Sequence, residues 1–227
     1  MPHRLSTIDR AVEAIGRGEI IIVMDAEDRE NEGDFICAAE KVTAEMVNFM
    51  ITHGRGFLCV SVLPDVCERL DLSPMVDDNT APLGTNFTVQ VDHRSTKTGI
   101  TAKERATTIR AIVDPTSKAS DFVRPGHVNP LEAKEGGVLR RAGHTEASVD
   151  LARMAGLRPS GVLCEILNAE GDRASREELY ALAQKYYLEI ITVEDLIRYR
   201  RRMEKLVYHQ AAANLPTRFG PARVILY

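Results

Sequence analysis

Six carboxylates crowd into ten residues of this sequence, between two apolar runs. The stretch 25–34 reads Asp-Ala-Glu-Asp-Arg-Glu-Asn-Glu-Gly-Asp, and Arg29 is its only base. Carboxylates this close repel one another by roughly 1 kcal/mol per pair at 4 Å in water, and by more where they are partly buried. The stretch therefore predicts a cation site. The alternative is a solvated acidic turn.

The identity of the cation follows from the spacing of the acids. They do not fall at the intervals of a calcium-binding loop, and no bidentate Glu follows at the required distance. The stretch is also longer than a plain hairpin turn, and Gly33 marks a close approach or bend of the backbone. These features favour a magnesium or manganese site in which one or two carboxylates act together with substrate oxygens.

Three further residues have chemistry that their surroundings do not explain. His127 ends the segment Arg-Pro-Gly-His, which predicts a rigid turn that holds the imidazole for proton transfer, although an isolated histidine is commonly structural. Glu165 interrupts the apolar run 161–167. It is either an outward-facing residue of an edge strand or a general base with a raised pKa. His144 lies at a predicted helix start, where a neutral imidazole can bind a metal.

A phosphate site is predicted just before that helix. The segment 140–145, Arg-Arg-Ala-Gly-His-Thr, combines two arginines with the free N–H groups of a helix N-terminus, and both attract anions. Thr101 opens another helix with the Thr-x-x-Glu spacing of a capping box. Its simplest role is that of a cap, and phosphate binding is the alternative.

These residues need a scaffold of alternating strands and helices. Strands are predicted over 19–24, 35–39, 57–62, 86–92, 161–167 and 188–191 from their apolar runs or period-two alternation. Helices are predicted to start after Thr7, at Thr43, Pro64, Thr101, near Ala147, at Ser175 and at Val193, the last ending at His209. Residues 73–85 read as a long loop. The pattern predicts an α/β fold in a single catalytic domain.

Composition excludes several classes of protein. The 227 residues are 44% apolar with a net charge of −4, and the basic run 198–202 reads as a solvated helix face rather than a nucleic-acid site.

The four cysteines form no Cys-x-x-Cys pair, so we expect core residues of a reduced protein and no zinc site. Residues 1–4 begin no apolar signal and no run approaches a membrane span, which predicts a cytoplasmic location.

Four charged motifs, in this order along the chain, resemble the signature set of the 3,4-dihydroxy-2-butanone 4-phosphate synthase family. They are Asp-Arg-Glu-Asn-Glu-Gly-Asp (28–34), Arg-Pro-Gly-His (124–127), Arg-Ala-Gly-His-Thr-Glu-Ala (141–147) and Cys-Glu (164–165). The resemblance extends from about residue 6 to 200. It implies conversion of D-ribulose 5-phosphate to L-3,4-dihydroxybutan-2-one 4-phosphate and formate with Mg²⁺ or Mn²⁺, through a metal-stabilised enediolate, loss of water, a skeletal rearrangement and formate release.

The resemblance also implies roles for individual residues. Glu30 and His144 would ligate the metal, and His127, Glu165, Glu30 and Asp34 would carry out the chemistry. Together with Thr101 from its place at a helix start, the expected substrate-binding residues are Arg29, Glu30, Asp34, Thr101, Arg141, Ala142, Gly143, His144, Thr145 and Glu165.

The resemblance further implies a three-layer α/β sandwich around a mixed sheet and a homodimer with sites near the subunit interface. Residues 1–209 would form this domain. Residues 210–227 are similar to the start of a GTP cyclohydrolase II domain, and we expect them to be a disordered stub without cyclohydrolase activity. Two other functions stay open: another metal-dependent sugar-phosphate isomerase or aldolase, and an inactive synthase-like half that serves dimerisation or regulation.

Overall fold

A seven-stranded mixed sheet forms the centre of the molecule. In this computed structural model, which describes residues 5–205 and 207–227, the strands of the sheet are β1 (Ile21–Met24), β2 (Gly33–Ala38), β3 (Cys59–Val62), β4 (Val91–His93), β5 (Phe122–Glu132), β6 (Gly161–Glu165) and β7 (Ile190–Thr192). Their spatial order is β4-β5-β3-β6-β2-β1-β7. The pairs β1–β7 and β3–β5 are parallel and the other four are antiparallel.

The described residues form seven α-helices. They are α1 (Ile8–Arg17), α2 (Ala44–His53), α3 (Pro64–Leu70), α4 (Ala102–Val113), α5 (His144–Met154), α6 (Arg176–Tyr186) and α7 (Val193–Met203). Short 3-10 turns occupy Ala39–Lys41, Ala119–Asp121 and Gly137–Leu139. The predicted caps Thr43, Thr101 and Ser175 each accept a hydrogen bond from the first turn of their helix.

The helices cover both faces of the sheet, so the predicted three-layer α/β sandwich is confirmed. One apolar core contains buried side chains of β1, β2 and β6 together with those of α2, α3, α4 and α6. The other contains the alternate side chains of the same strands together with α1, α5 and α7. Since neighbouring residues of a strand point to opposite faces, residues two apart share one core. On β2 and β6 this rule puts Asp34 and Glu165 on the α5 face, beside Ile36 and Leu163.

The region around His127 differs most from the sequence prediction. The Arg-Pro-Gly-His segment is not a turn, because it lies inside the eleven-residue strand β5. The sequence analysis does not predict this strand, since prolines at 125 and 130 normally argue against a strand. The strand predicted over 86–92 is regular only over Val91–His93, and before it Phe87 and Thr88 form only isolated bridges, to Leu131 and Pro74.

The C-terminal residues are not disordered, so that prediction is wrong. They form a hairpin of β8 (Ala211–Thr217) and β9 (Gly220–Leu226) that is a sheet of its own with every residue exposed. The helix predicted to reach His209 ends at Met203. Residue 206 of that prediction, and the leader prediction at residues 1–4, lie outside the described residues.

Two composition-based predictions can be compared with the structure. All four cysteines are buried and free, as expected of small core residues. The basic run on α7 is a solvated face except at Arg200, which is buried and donates to Asp150 of α5 over 2.7 Å between Nη1 and Oδ2. Periodicity missed this ion pair. No helix among the described residues is long and apolar enough to cross a membrane.

Candidate active site

The acidic loop between β1 and β2 is folded around one buried carboxylate. Asp25 follows β1 and is 2% exposed. Its Oδ1 accepts the amide of Glu32 at 3.0 Å, and its Oδ2 accepts the amide of Glu30 at 3.0 Å and Nη1 of Arg29 at 2.8 Å. The tight turn also places Asn31 at a positive φ of 52°. These bonds hold Glu30 and Glu32 at the carboxyl end of β1.

His144 reaches the same point from the start of α5. Its Nε2 lies 3.1 Å from the carbonyl oxygen of Val23. A carbonyl only accepts, so Nε2 carries the hydrogen and Nδ1 keeps its lone pair. Nδ1 lies 3.9 Å from Oδ1 of Asp34, too far for a hydrogen bond. Burial lowers the pKa of His144, which keeps the ring neutral.

The donor set fits a divalent cation. Oδ1 of Asp34 is buried and has no hydrogen-bond partner among the described residues. Two groups of potential ligands share His144, one with Asp25 and Glu30 and one with Glu32 and Asp34, and within each group the ligand atoms lie within 4.8 Å of one another. Oxygen ligands with one imidazole suit Mg²⁺ or Mn²⁺, and the orphaned oxygen beside an imidazole lone pair is the arrangement that a cation completes.

Burial and mutual repulsion shift the pKa values of the crowded carboxylates in different directions. Burial raises the pKa of Glu32 to about 8, with the neighbouring Glu30 adding to the shift. Burial, followed by the charge of Glu165, raises the pKa of Asp34 well above its ordinary range. At Glu30 burial acts in the same direction, but a hydrogen bond from Glu32 and the charge of Arg29 outweigh it and lower the pKa. The loop therefore carries more carboxylates than its own bases neutralise.

Glu165 lies at the end of β6, directly opposite Asp34 of β2. Its Oε2 accepts the amide of Phe57 at 2.7 Å. Because β6 lies between β3 and β2, the edge-strand alternative for Glu165 is wrong. Burial raises the pKa of this carboxyl. Its backbone packs so closely on Gly56 that a Cβ there would collide with the carbonyl and side chain of Glu165.

Two arginines lie near the N-terminus of α5, where the sequence predicts an anion site. The N-cap Gly143 offers no side-chain acceptor, so the first N–H groups of the helix stay available for a ligand. A Cβ built at Gly143 would collide with Nη1 of Arg141, and it would lie 2.9 Å from Oε2 of Glu146 and 3.1 Å from Nη2 of Arg29. Two guanidinium groups thus converge on one point. Ala142, His144 and Thr145 belong to the same segment, so the structure brings the predicted 141–145 loop together with Arg29.

Arg141 is held by a second carboxylate and by the long loop. Its Nη1 donates to Oε2 of Glu146 at 2.8 Å, and Glu146 is 1% exposed. Its Nη2 donates to the Thr85 hydroxyl at 2.9 Å and to the Leu83 carbonyl at 3.2 Å. The predicted 73–85 loop therefore ends against the Arg141 side chain.

His127 is at the same edge of the sheet but not in contact with the acidic cluster. Cys59 of β3 pairs with Asn129 of β5 and with Leu163 of β6. His127 is two residues before Asn129, and Glu165 is two residues after Leu163. Because β3 and β5 are parallel and β3 and β6 are antiparallel, His127 and Glu165 lie in one row across the sheet. They are two strand spacings, about 10 Å, apart between Cα atoms.

Thr101 also lies apart from the acidic cluster. Its hydroxyl donates to Oε2 of Glu104 at 3.0 Å and accepts the Glu104 amide at 3.2 Å in a complete capping box. Two residues before it, Gly99 packs against Asp92, which binds His127. Thr101 is thus connected in sequence to the residues around His127, and its role as a substrate contact remains a prediction.

Sequence reasoning missed four carboxylates that organise the site. Asp25 and Glu32 were counted in the acidic loop but assigned no role, although their place beside a buried strand was a usable signal. Glu146 stands within the Arg-Ala-Gly-His-Thr-Glu motif, five residues after Arg141, whose guanidinium donates to it. Asp92 ended a predicted strand, and nothing in the sequence connected it with a histidine 35 positions later.

Comparison with known proteins places this site in a family. A sequence profile of 3,4-dihydroxy-2-butanone 4-phosphate synthase matches residues 9–199. The chain is 54% identical over its whole length to "Riboflavin biosynthesis protein RibBA" of Bacillus mycoides (strain KBAB4) and covers 56% of that protein. It is 53% identical to the protein of the same name from Aquifex aeolicus (strain VF5), over 99% of this chain and 56% of the relative. The chain thus spans little more than half the length of these relatives.

Two solved structures are also similar. RibBX, a two-domain 3,4-dihydroxy-2-butanone 4-phosphate synthase from A. baumannii, gives a TM-score of 0.91 at 44% identity, over 97% of this chain and 65% of that one. A 3,4-dihydroxy-2-butanone 4-phosphate synthase in complex with two magnesium ions gives a TM-score of 0.82 at 40% identity, over 88% of this chain and 98% of that one.

Proposed function

The chain belongs to the 3,4-dihydroxy-2-butanone 4-phosphate synthase family of riboflavin biosynthesis, and on that premise we propose that it converts D-ribulose 5-phosphate to L-3,4-dihydroxybutan-2-one 4-phosphate and formate. One observation supports this function above others. A two-arginine anion site at the start of α5 adjoins a buried group of carboxylates and one neutral imidazole, centred on Asp34 and His144. A sugar phosphate needs both: a cradle for phosphate, and cation and proton-transfer groups for its hydroxyl and carbonyl oxygens.

Mg²⁺ or Mn²⁺ would be held by Glu30 and His144. The proposal is supported by the neutral state of His144 and by the partnerless oxygen of Asp34 beside it. When bound, the cation supplies Lewis-acid stabilisation of negative charge on substrate oxygens. The two groups of potential ligands share the one free nitrogen of His144, so the imidazole would ligate a single ion, and a second ion, such as the related synthase structure contains, would be held by carboxylates alone.

The phosphate would lie at the N-terminus of α5. Arg29 and Arg141 supply positive charge there, and the backbone of Ala142, Gly143 and Thr145 supplies N–H donors. Glu146 holds Arg141 in place through a buried ion pair, so the guanidinium loses little freedom on binding. With the phosphate fixed, the carbon chain can extend toward Asp34 and Glu165.

Glu165 is our candidate for the first general base. Its pKa is raised by burial, and a carboxyl whose pKa lies closer to the working pH is a better proton acceptor and donor. The Phe57 amide fixes Oε2, which leaves the other carboxyl oxygen for the substrate. Asp34, directly opposite, and His127, at the far end of the row, would serve the later proton transfers of dehydration and formate loss.

Formate release tests the reaction. The purified chain is given D-ribulose 5-phosphate with Mg²⁺ and then with EDTA, and formate is quantified. We expect formate only with the metal. An isomerase or aldolase would consume the sugar phosphate without making formate. An inactive synthase-like half would leave the substrate unchanged while remaining folded.

The proposed assembly is a homodimer. Exposed apolar side chains surround the His127 end of the sheet: Phe57 is 49%, Ile100 51% and Val123 38% exposed. Phe57 lies beside Glu165, while Val123 pairs with Asp92 of β4. An interface there would bury this apolar surface next to the site. Light scattering on the purified chain tests this proposal, and a monomeric mass would contradict it.

Two further points belong to the proposal. Residues 210–227 would begin a fused GTP cyclohydrolase II domain, which is supported by their separate hairpin and by the greater length of the RibBA relatives. The protein would act in the cytoplasm, which agrees with its four free, buried cysteines.

A further inference from the structure

We infer that Asp92 is a positioning residue that sets the tautomer and orientation of His127. Both of its carboxylate oxygens are used by that one residue. Oδ1 accepts the backbone N–H of His127 at 2.9 Å, and Oδ2 lies 2.7 Å from its Nδ1. The backbone bond fixes the carboxylate relative to β5, and the ring bond fixes the imidazole relative to the carboxylate.

The residues around Asp92 bury its carboxylate and leave it bonded to His127. Its side chain is 7% exposed, and among the described residues its only ion-pair partner is His127. A buried carboxylate is costly unless its oxygens are bonded, so its presence needs a specific partner. Gly99, at a φ of +83°, packs so closely that a Cβ there would collide with the carboxylate. A Cβ at Gly126 would collide with the backbone of Val91 and Asp92.

The pair has a definite chemical consequence. An ionised carboxylate only accepts hydrogen bonds, so Nδ1 of His127 must carry a hydrogen. The lone pair of the neutral ring is then on Nε2. The imidazole side chain is 44% exposed, in contrast to the buried carboxylate, so Nε2 can reach a ligand. Asp92 also stabilises the imidazolium that forms when Nε2 takes a proton.

This inference rests on the proposed function, in which His127 moves a proton. The asparagine variant tests it with little change of shape. In Asp92→Asn the amide oxygen can still accept the backbone N–H, but the NH₂ group cannot accept from Nδ1 and instead donates to it. The ring then takes the Nε2–H tautomer. In serine proteases the equivalent change of an orienting aspartate leaves the geometry intact and lowers kcat about 10⁴-fold.

We expect Asp92→Asn to lower kcat for formate release by roughly 10²- to 10⁴-fold, the contribution of a positioned acid or base, with KM changed by less than about threefold. Asp121→Asn is the matched control. Asp121 also contacts the backbone of its own neighbourhood, accepting the Lys118 amide, and it precedes the start of β5. Its substitution should leave kcat unchanged. Equal activity of Asp92→Asn and Asp121→Asn would overturn the inference.

A second readout does not depend on activity. With ¹⁵N-histidine in the full chain, the resonances of His127 are assigned among the six histidines by their loss in His127→Gln. In the wild-type protein we expect the neutral ring to show a protonated Nδ1 and a bare Nε2, and in Asp92→Asn the reverse. A wild-type Nε2–H tautomer would overturn the inference even if the variant failed to fold. Absence of formate from the wild type would instead count against the proposed function and leave the tautomer measurement valid.

Discussion

The acidic cluster and the Asp92–His127 pair lie at opposite ends of one edge of the sheet, and they accommodate buried charge in opposite ways. At the acidic end, Oδ1 of Asp34 has no partner among the described residues and faces a bare imidazole nitrogen of His144 at 3.9 Å. At the other end, both oxygens of Asp92 are bonded to His127. The first arrangement is incomplete without a ligand, and the second is complete within the chain.

The difference shows which end is built to bind and which is built to act in a fixed orientation. Carboxylates that are removed from water without a base beside them either take up protons or bind a cation, and the raised pKa values of Glu32 and Asp34 reflect that alternative. A carboxylate already bonded to an imidazole needs no further ligand. Its role is to hold the ring. Changes of metal should therefore affect the acidic end far more than the Asp92–His127 pair.

The largest effect is expected at Glu165, between the two ends. Glu165→Gln should lower kcat by roughly 10²- to 10⁴-fold because the amide cannot take a proton, while the Kd for D-ribulose 5-phosphate stays within about threefold. Steady-state formate assays and calorimetric titration measure the two quantities. Glu170→Gln, an exposed residue of the turn after β6, is the control and should behave as wild type. Near-normal turnover of Glu165→Gln would show that another group is the first base.

Mg²⁺ should stabilise the protein through the acidic end alone. A ligand at 100 times its Kd adds about 2.7 kcal/mol to the free energy of unfolding, or about 5–10 °C in Tm for a chain of this size. Glu30→Gln should lose most of this shift in thermal melts. Glu27→Gln changes a loop carboxylate that is 73% exposed and should keep it.

The same melts compare the two ends directly. Asp92→Asn should retain the Mg²⁺-induced rise in Tm, because its carboxylate is not among the potential metal ligands. A full rise in Glu30→Gln, or a lost rise in Asp92→Asn, would remove the distinction drawn between the ends.

Without divalent cations, stability should fall as pH rises. The pKa of Glu32 is raised from 4.5 to about 8 in the folded protein, chiefly by burial. The folded state then binds more protons than the unfolded state between these values, so the free energy of unfolding decreases across this interval and levels off above it. Tm measured in EDTA should drop by several degrees from about pH 5 to pH 8. Glu32→Gln should flatten the curve, whereas a steep curve in that variant would assign the effect elsewhere.

The smallest effect is expected at Thr101, near the His127 end. Thr101→Ala removes an N-cap and should cost about 1 kcal/mol of stability, which is about 2–4 °C in Tm. Because its hydroxyl is already bonded to Glu104, KM and kcat should not change. Thr101→Ser keeps the hydroxyl and should match wild type. A several-fold rise in KM in the alanine variant would instead support the sequence prediction that Thr101 contacts phosphate.

Much of the acidic end could be predicted from local sequence. The apolar runs around the acidic loop became β1 and β2 because β-branched residues favour buried strands. Antiparallel pairing of these neighbouring strands then placed the loop at a strand end without any long-range information. The segment before α5 was equally predictable, since arginines, glycine and a helix start lie together in sequence.

The His127 end could not be predicted in the same way. Its strand β5 contains prolines at 125 and 130, which local rules assign to turns. Its key contact joins residues 35 positions apart, across a register shift in β4. The pairing of Arg200 with Asp150 could not be predicted either, because it also joins residues far apart in sequence. A basic run on a helix predicts a solvated face unless a buried partner is known.

By itself, the sequence determined which residue types were available and where the local elements begin and end. Composition, apolar periodicity and capping residues act over a few positions, so they specified the acidic loop, the helix starts and the α/β class. Only the tertiary structure decided which charges face one another. Burial, the neutral state of His144 and the bonding of Asp92 to His127 depend on strand register and on which groups are removed from water, and neither is a property of neighbouring residues.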